Sequence, residues 1–313
     1  MRLAIFADVH DNLPALEAVV EDIRRQQVDG IISAGDTVLR GPFPVETTRL
    51  LRSLGAWMIR GNAEAYLLAY DAAEAPRSWY ISDQWAAIRW TYDQLDRGTL
   101  DFLATLPEQR VVALDGTAPI RVVHGSPGNP SGRLFPDGDP DALDWFRRAG
   151  LLPEDGDPPR LMRALGDVRE AVLVCGHTHI PWAQEQDGRL ALNPGAVSGA
   201  LNEDVRAQYA LLTWEDDHWT VEHRAVAYDV SRLRRAFHER GLLAEGGAFA
   251  RAYLLSIETG RNAVGHLFSY IDTLAVEAGL EDWSVVPEAI WDHAVNTFRW
   301  TEYAGKSRRG QFA

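Results

Sequence analysis

Short apolar runs alternate with amphipathic stretches over the first 60 residues. Residues 3–7 form an apolar run that stops at Asp8 and predicts a buried strand. Asn12 then offers an N-cap, and Leu13, Leu16, Val19, Val20 and Ile23 fall on one helical face. Gly30 precedes a second apolar run, 31–34, which ends in Gly35-Asp36. A helix over 47–54 leads to a third strand, 56–59, ending in Arg60-Gly61-Asn62. Strand, helix, strand, helix, strand predicts a parallel or mixed sheet with helical crossovers.

Further along, residues 83–106 read as helical, and 111–114 with 120–123 as a strand pair turned by Asp115-Gly116. The second of these strands ends in His124-Gly125. Residues 126–159 are rich in Pro, Gly and Asp and predict an excursion rather than core, with Asp139-Pro140 starting a helix that reaches Ala149. Residues 172–175 form another apolar strand, followed by Gly176-His177-Thr178-His179. Residues 190–192, 210–214 and 219–227 complete the strands. From Asp229 onward helical spacing dominates. The expected organisation is a catalytic unit over 1–228, with 126–159 bordering its cleft. A helical extension over 229–313 packs on it and offers a surface for homo-oligomer formation.

Composition narrows the function classes. The chain has 313 residues, with 45 acidic against 31 basic side chains and a formal charge of −14. Such a surface repels polyanions, which disfavours non-specific nucleic-acid binding and anionic membranes. The single cysteine, Cys175, allows no intrachain disulfide. No apolar run approaches the length of a membrane span, and residues 1–7 run straight into a strand without a signal-peptide pattern. A cytoplasmic protein is expected.

The chemistry lies in where the apolar runs stop. Asp8 and His10 follow the first, Asp36 the second, Asn62 the third, His124 a later one, and His177 and His179 the last. Ligands of open α/β sheets bind outside the carboxyl ends of strands, so these seven side chains can converge. Two carboxylates, one amide and four imidazoles suit Mn, Fe, Zn or Ni better than Ca or Cu(I). A shared carboxylate, Asp36, can bridge two cations, lower the pKa of a water between them and clamp phosphoryl oxygens.

In this order the motifs resemble those of the calcineurin-like metallophosphoesterases. The matches are Asp8-Val9-His10, Gly35-Asp36, Gly61-Asn62-Ala63-Glu64, His124-Gly125 and Gly176-His177-Thr178-His179, within roughly residues 1–228. The resemblance implies two packed mixed β-sheets flanked by helices, a four-layer α/β sandwich. It implies one divalent cation on Asp8, His10, Asp36 and His179, and a second on Asp36, Asn62, His124 and His177. Manganese is the favoured ion for assay. The implied activity is P–O hydrolysis by a metal-bridged hydroxide. The turn Leu192-Asn193-Pro194-Gly195 resembles one that shapes backbone in the family.

Ala63 departs from the pattern, because relatives that cleave monoesters well carry His there. General acid catalysis contributes 10²–10⁴-fold, about 3–5 kcal/mol. Without it, phosphodiesters or phosphoanhydrides with stable leaving groups are the expected small-molecule substrates. The alternatives are a diadenosine polyphosphatase, a phosphoprotein phosphatase, or a non-catalytic binding protein that retains its metals. Glu64 is a candidate acid or water-orienting group, against helix capping or pairing with Arg60. Arg60 and Asn12 are candidate phosphate contacts, against a surface ion pair and an N-cap respectively.

Overall fold

Ten strands occur among the described residues: β1 (Arg2–Phe6), β2 (Gly30–Ser33), β3 (Trp57–Met58), β4 (Gln109–Val112), β5 (Ile120–Val123), β6 (Val172–Val174), β7 (Trp182–Gln186), β8 (Arg189–Asn193), β9 (Ala207–Glu215) and β10 (His218–Val226). The structure, a computed structural model, describes residues 1–137, 140–152, 161–166, 168–280 and 286–303. Two mixed five-stranded sheets result, ordered β10-β9-β1-β2-β3 and β4-β5-β6-β8-β7. In the first, β1, β2 and β3 run parallel and β9 lies antiparallel to β1. In the second, β5, β6 and β8 run parallel and β4 and β7 close the edges antiparallel.

The two sheets face each other across one apolar layer. Leu3, Ile5, Ile32 and Ile59 from the first meet Val122, Val172, Val174 and Leu192 from the second. Helices α1 (Leu13–Arg25), α2 (Pro44–Ser53) and α3 (Asn62–Asp71) cover the outer face of the first sheet. Their buried side chains, Leu16, Val19, Leu51 and Leu67, join Phe6 and Tyr209 in a second core. Helix α1 forms as its spacing predicts: Asn12 Oδ1 accepts from the Ala15 amide at 3.1 Å, and Pro14 occupies the first turn.

Several elements differ from expectation. The stretch 83–106 is not one helix but a 3₁₀ turn and two helices, Ala86–Gln94 and Arg97–Thr105. Leu95 is extended, and Asp96 caps the second helix through the Thr99 amide at 2.7 Å. Helix α2 begins at Pro44, three residues before the expected start, because proline suits a first turn. Strand β4 lies two residues earlier than expected, fixed by pairing of Gln109 with Val123. Strand β7 was not foreseen.

The described part of 126–159 is packed rather than loose. Leu134, Phe135 and Phe146 are buried with Leu173, Cys175 and Trp182 on the outer face of the second sheet. Its helix runs Pro140–Arg148, and Asp139, the expected cap, lies outside the described residues. Beyond residue 229, helices Val230–Glu239 and Gly247–Thr259 bury Leu233, Phe237, Tyr253 and Ile257 against Trp90 of the helix Ala86–Gln94. Ala263–Glu277 and Glu288–Thr297 form a further layer around Leu267, Ile271 and Trp291.

Candidate metal centre and substrate cleft

All seven candidate ligands stand just beyond the carboxyl ends of β1, β2, β3, β5 and β6. Both sheets therefore deliver them to one edge of the sandwich, and all but His177 are buried. They gather as two groups whose ligating atoms lie within 4.8 Å of one another: Asp8, His10 and His179, and Asp36, His124 and His177. Asp36 ties the groups together, with Oδ2 at 3.6 Å from His10 Nε2 and Oδ1 at 3.2 Å from His124 Nε2. Asn62 completes the second group, its Oδ1 at 3.2 Å from His124 Nε2.

Backbone carbonyls set the imidazoles. Nδ1 of His10 faces the Val38 carbonyl at 3.1 Å, His124 that of Ala34 at 2.8 Å, and His179 that of Gly199 at 2.9 Å. With Nδ1–H given to a carbonyl, each Nε2 presents its lone pair inward, as metal-binding imidazoles require. Nε2 of His10 and His179 are 3.3 Å apart, and His179 Nε2 is 3.2 Å from Asp8 Oδ1. Neutral rings would thus set acceptor against acceptor.

The carboxylates are held by one oxygen and open at the other. Asp8 Oδ2 accepts from the His177 amide at 3.0 Å, and Asp36 Oδ1 from the Ala63 amide at 2.8 Å. Asp8 Oδ1 and Asp36 Oδ2 are buried and accept no hydrogen bond. Two unsatisfied anionic oxygens among inward lone pairs are costly unless cations sit between them. The donor set therefore fits a dinuclear divalent metal site.

Backbone conformation adds to this picture. Asp8, His10, Asp36, His177 and His179 all have positive φ, from 47° to 68°. Such a concentration of left-handed, non-glycine residues persists only where surrounding structure enforces it. Gly61 shows how tight the site is, since a Cβ there would lie 2.2 Å from Asp36 Oδ1 and 2.8 Å from the His124 ring. The turn after β8 also braces the site: Asn193 Nδ2 donates to the Gly176 carbonyl at 2.7 Å and to Thr178 Oγ1 at 3.1 Å.

Electrostatics follow from crowding. Burial, reinforced by Arg40, pushes His10 well below the ordinary imidazole range. Burial and neighbouring His124 bring His177 down to about 4. His124 differs: burial opposes its charge, but the Asp36 and Asp8 carboxylates outweigh it and lift the ring to about 9. Asp36 is likewise favoured by burial to rise, yet His124, His10 and Arg40 hold it well below the carboxylate range.

The remaining sequence candidates are occupied elsewhere. Asn12 caps α1, and its Nδ2 donates to Ser198 Oγ at 3.1 Å and Tyr228 Oη at 3.3 Å. Arg60 pairs with Glu108 at 2.7 Å on the surface. Glu64 is buried and caps α3 through the Gly61 amide at 2.6 Å, and it also accepts from the Asp36 and Thr37 amides and Thr37 Oγ1. Four donors fill its lone pairs, so it anchors the Asp36 loop. Ala63 offers only a methyl group, buried beside Asn62.

Arg40 escaped the sequence reading. It lies in the loop after β2 with φ of 81°, its guanidinium 5.6 Å above the Tyr253 ring and 5.9 Å from that of Phe249. It lines a polar basin of about 430 Å³ together with His177, His179, Arg133 and Leu151. It also lines an apolar cleft of about 260 Å³ that reaches Asn62 and Ala63. Its only sequence signal is an arginine shortly after a strand-end aspartate; the two aromatic rings beneath it come from a helix more than 200 residues away.

Comparison with known proteins agrees with this geometry. The calcineurin-like phosphoesterase superfamily domain matches residues 1–217. An uncharacterized protein of Methanocaldococcus jannaschii is 26% identical over 250 residues, covering 74% of this chain and 89% of its own length. The crystal structure of a metallophosphoesterase from Sphaerobacter thermophilus superposes with a TM-score of 0.58 at 28% identity, covering 79% of this chain and 99% of its own. A hypothetical protein from Pyrococcus horikoshii OT3 shares the fold at a TM-score of 0.63 and 22% identity, covering 83% and 98%.

Proposed function

Because the chain belongs to the calcineurin-like phosphoesterase superfamily, we propose that it hydrolyses small phosphodiesters or phosphoanhydrides, working with two divalent cations, manganese foremost. The observation that carries the preference is Ala63: the residue following the ligand Asn62 has no proton to give, while the cup around it is complete. When bound, the cations supply the Lewis acidity that activates the attacking water and neutralises phosphoryl charge.

Asp8, His10, Asp36 and His179 would hold one cation, and Asp36, Asn62, His124 and His177 the other. The carbonyls of Val38, Ala34 and Gly199 fix ring orientation, so the ligands are preorganised. Arg40 lies at the mouth of the cup and supplies a planar fork for a non-bridging phosphoryl oxygen. Stacking on Tyr253 restrains that fork. The leaving oxygen meets no acid, so it departs as an anion. An aryl oxide or phosphate tolerates that; an alkoxide does not. Arg133 and Leu151, both from the stretch 126–159, line the same basin, which supports a role for that stretch in selecting among substrates.

A manganese-supplemented screen with bis-aryl phosphodiester, aryl monoester, diadenosine polyphosphate and phosphopeptide tests this reading. Turnover of the diester or anhydride above a phosphoserine peptide, whose leaving group is an alkoxide, is expected. Stoichiometric metal with no hydrolysis of any ester would instead establish a binding protein.

A further inference from the structure

The apolar cleft begins at Asn62 and Ala63, the position from which a general acid would reach a leaving group, and it is walled by two pairs of aromatic rings. One pair, Tyr66 and Trp85, belongs to the catalytic unit; the other, Phe249 and Phe268, to the helical extension. The first pair is locked from behind. Trp79 stacks on Trp85 with centroids 4.4 Å apart and meets Tyr66 edge-on at 5.4 Å. The second pair is held by contact of Phe249 with Phe268 at 6.3 Å and of Phe268 with Trp291 at 6.2 Å. Arg40 is the one charged side chain in the lining. The cleft's 260 Å³ exceeds the roughly 150 Å³ that admits benzene and falls short of a site for a drug-sized molecule.

We propose that this cleft is the leaving-group subsite and that it selects a phosphodiester whose departing group carries a planar aromatic ring, of single or fused-ring size. The inference rests on the phosphoesterase reading above and narrows it. Rings between preformed aromatic walls gain offset-stacked or edge-to-face contact in addition to burial. A phosphate leaving group gains nothing from such walls, so the cleft favours aryl-type diesters over anhydrides. An aryl oxide is also the leaving group that least needs the proton Ala63 cannot supply. Sequence and cavity thus select the same chemistry through independent features.

The test is calorimetric titration of the manganese-loaded full chain with two monoanions, methyl benzylphosphonate and methyl methylphosphonate, which differ only by the ring; the ring hangs on a P–C bond, so no aryl oxide can leave. The wild type should bind the benzyl compound at least tenfold more tightly. Ala87→Phe, which fills the cleft from the helix Ala86–Gln94, should reduce that ratio to about one and leave the methyl compound's affinity unchanged. Phe268→Ala, at a wall exposed enough to spare the fold, should lower the ratio by severalfold. Equal affinities in the wild type overturn the subsite, as does a ratio that both variants preserve. Binding of neither phosphonate, together with no turnover in the ester screen, sinks the phosphoesterase reading itself. Turnover of diesters with equal phosphonate affinities sinks only the subsite.

Discussion

Ala63 and Arg40 divide the work that a phosphoryl group asks of side chains, one by absence and one by charge. Ala63→His would place an imidazole beside Asn62 at the mouth of the cleft. We expect kcat/KM for alkyl phosphomonoesters to rise at least about a hundredfold, the lower end of the 10²–10⁴ range of general acid catalysis, with metal content unchanged. No rise in a monoester assay would mean that the acid is missing for a reason other than this residue. Arg40→Ala should lower kcat/KM for the diester about 10²-fold while cation stoichiometry stays constant, because a charge-assisted bond to the phosphoryl group is lost. Arg40→Lys should recover only part, since an ammonium cannot make the planar fork.

The residue types at the strand ends were legible because each follows an abrupt stop in an apolar run. Arg40 was not, since nothing in a loop sequence reveals that Tyr253 and Phe249 will come to lie against it. Glu64 was visible as a carboxylate near the site. Its use as an anchor for the Asp36 loop appears only once Thr37 is seen to fold back onto it.

At the scale of elements, strands buried on both faces are the ones that sequence discloses best. β1, β2 and β6 are continuous apolar runs and stand where expected, within one or two residues. β7 escaped because it is an edge strand, Trp-Ala-Gln-Glu-Gln, buried only at its first residue and polar over its last three. The break at Leu95 escaped because Asp96 can continue a helix or cap the next one, and only the packed partners decide.

A half-buried polar link between elements gives a test of the first sheet. Asp22 of α1 accepts from Tyr209 Oη of β9 at 2.7 Å and Arg224 Nε of β10 at 3.0 Å. Burial favours a higher pKa, but these two donors prevail and hold Asp22 below the usual carboxylate range. A depressed carboxyl adds stability above its unfolded pKa, near 3.9, and loses it as pH falls through the folded value. Asp22→Asn should therefore cost about 1–2 kcal/mol at pH 7. The difference should shrink below about pH 4. Urea melts at the two pH values check this, and a penalty that persists undiminished in acid would assign it to packing instead.

For the whole molecule, the helical extension is part of the site's architecture as well as its periphery. Helix Gly247–Thr259 brings Tyr253 beneath Arg40, where its hydroxyl meets Ser198 Oγ at 3.0 Å and its ring meets His10 edge-on at 5.7 Å. The same helix buries Ile257 against the cluster that contains Trp90. Ile257→Ala should cost about 2–5 kcal/mol and should leave one cooperative unfolding transition. Two separated transitions by fluorescence and calorimetry would show that catalytic unit and extension fold independently. Among the described residues no helix is long and apolar enough to cross a membrane.

The central claim is that seven side chains from five strand ends form one cup for two divalent cations. Elemental analysis of the purified chain after manganese loading and desalting, compared with Asp36→Ala, tests it most directly. The account predicts about two manganese ions per wild-type chain and fewer than one in the variant, with phosphodiester turnover lost in parallel. A wild-type chain that retains no divalent cation, or a variant that retains both, would contradict it.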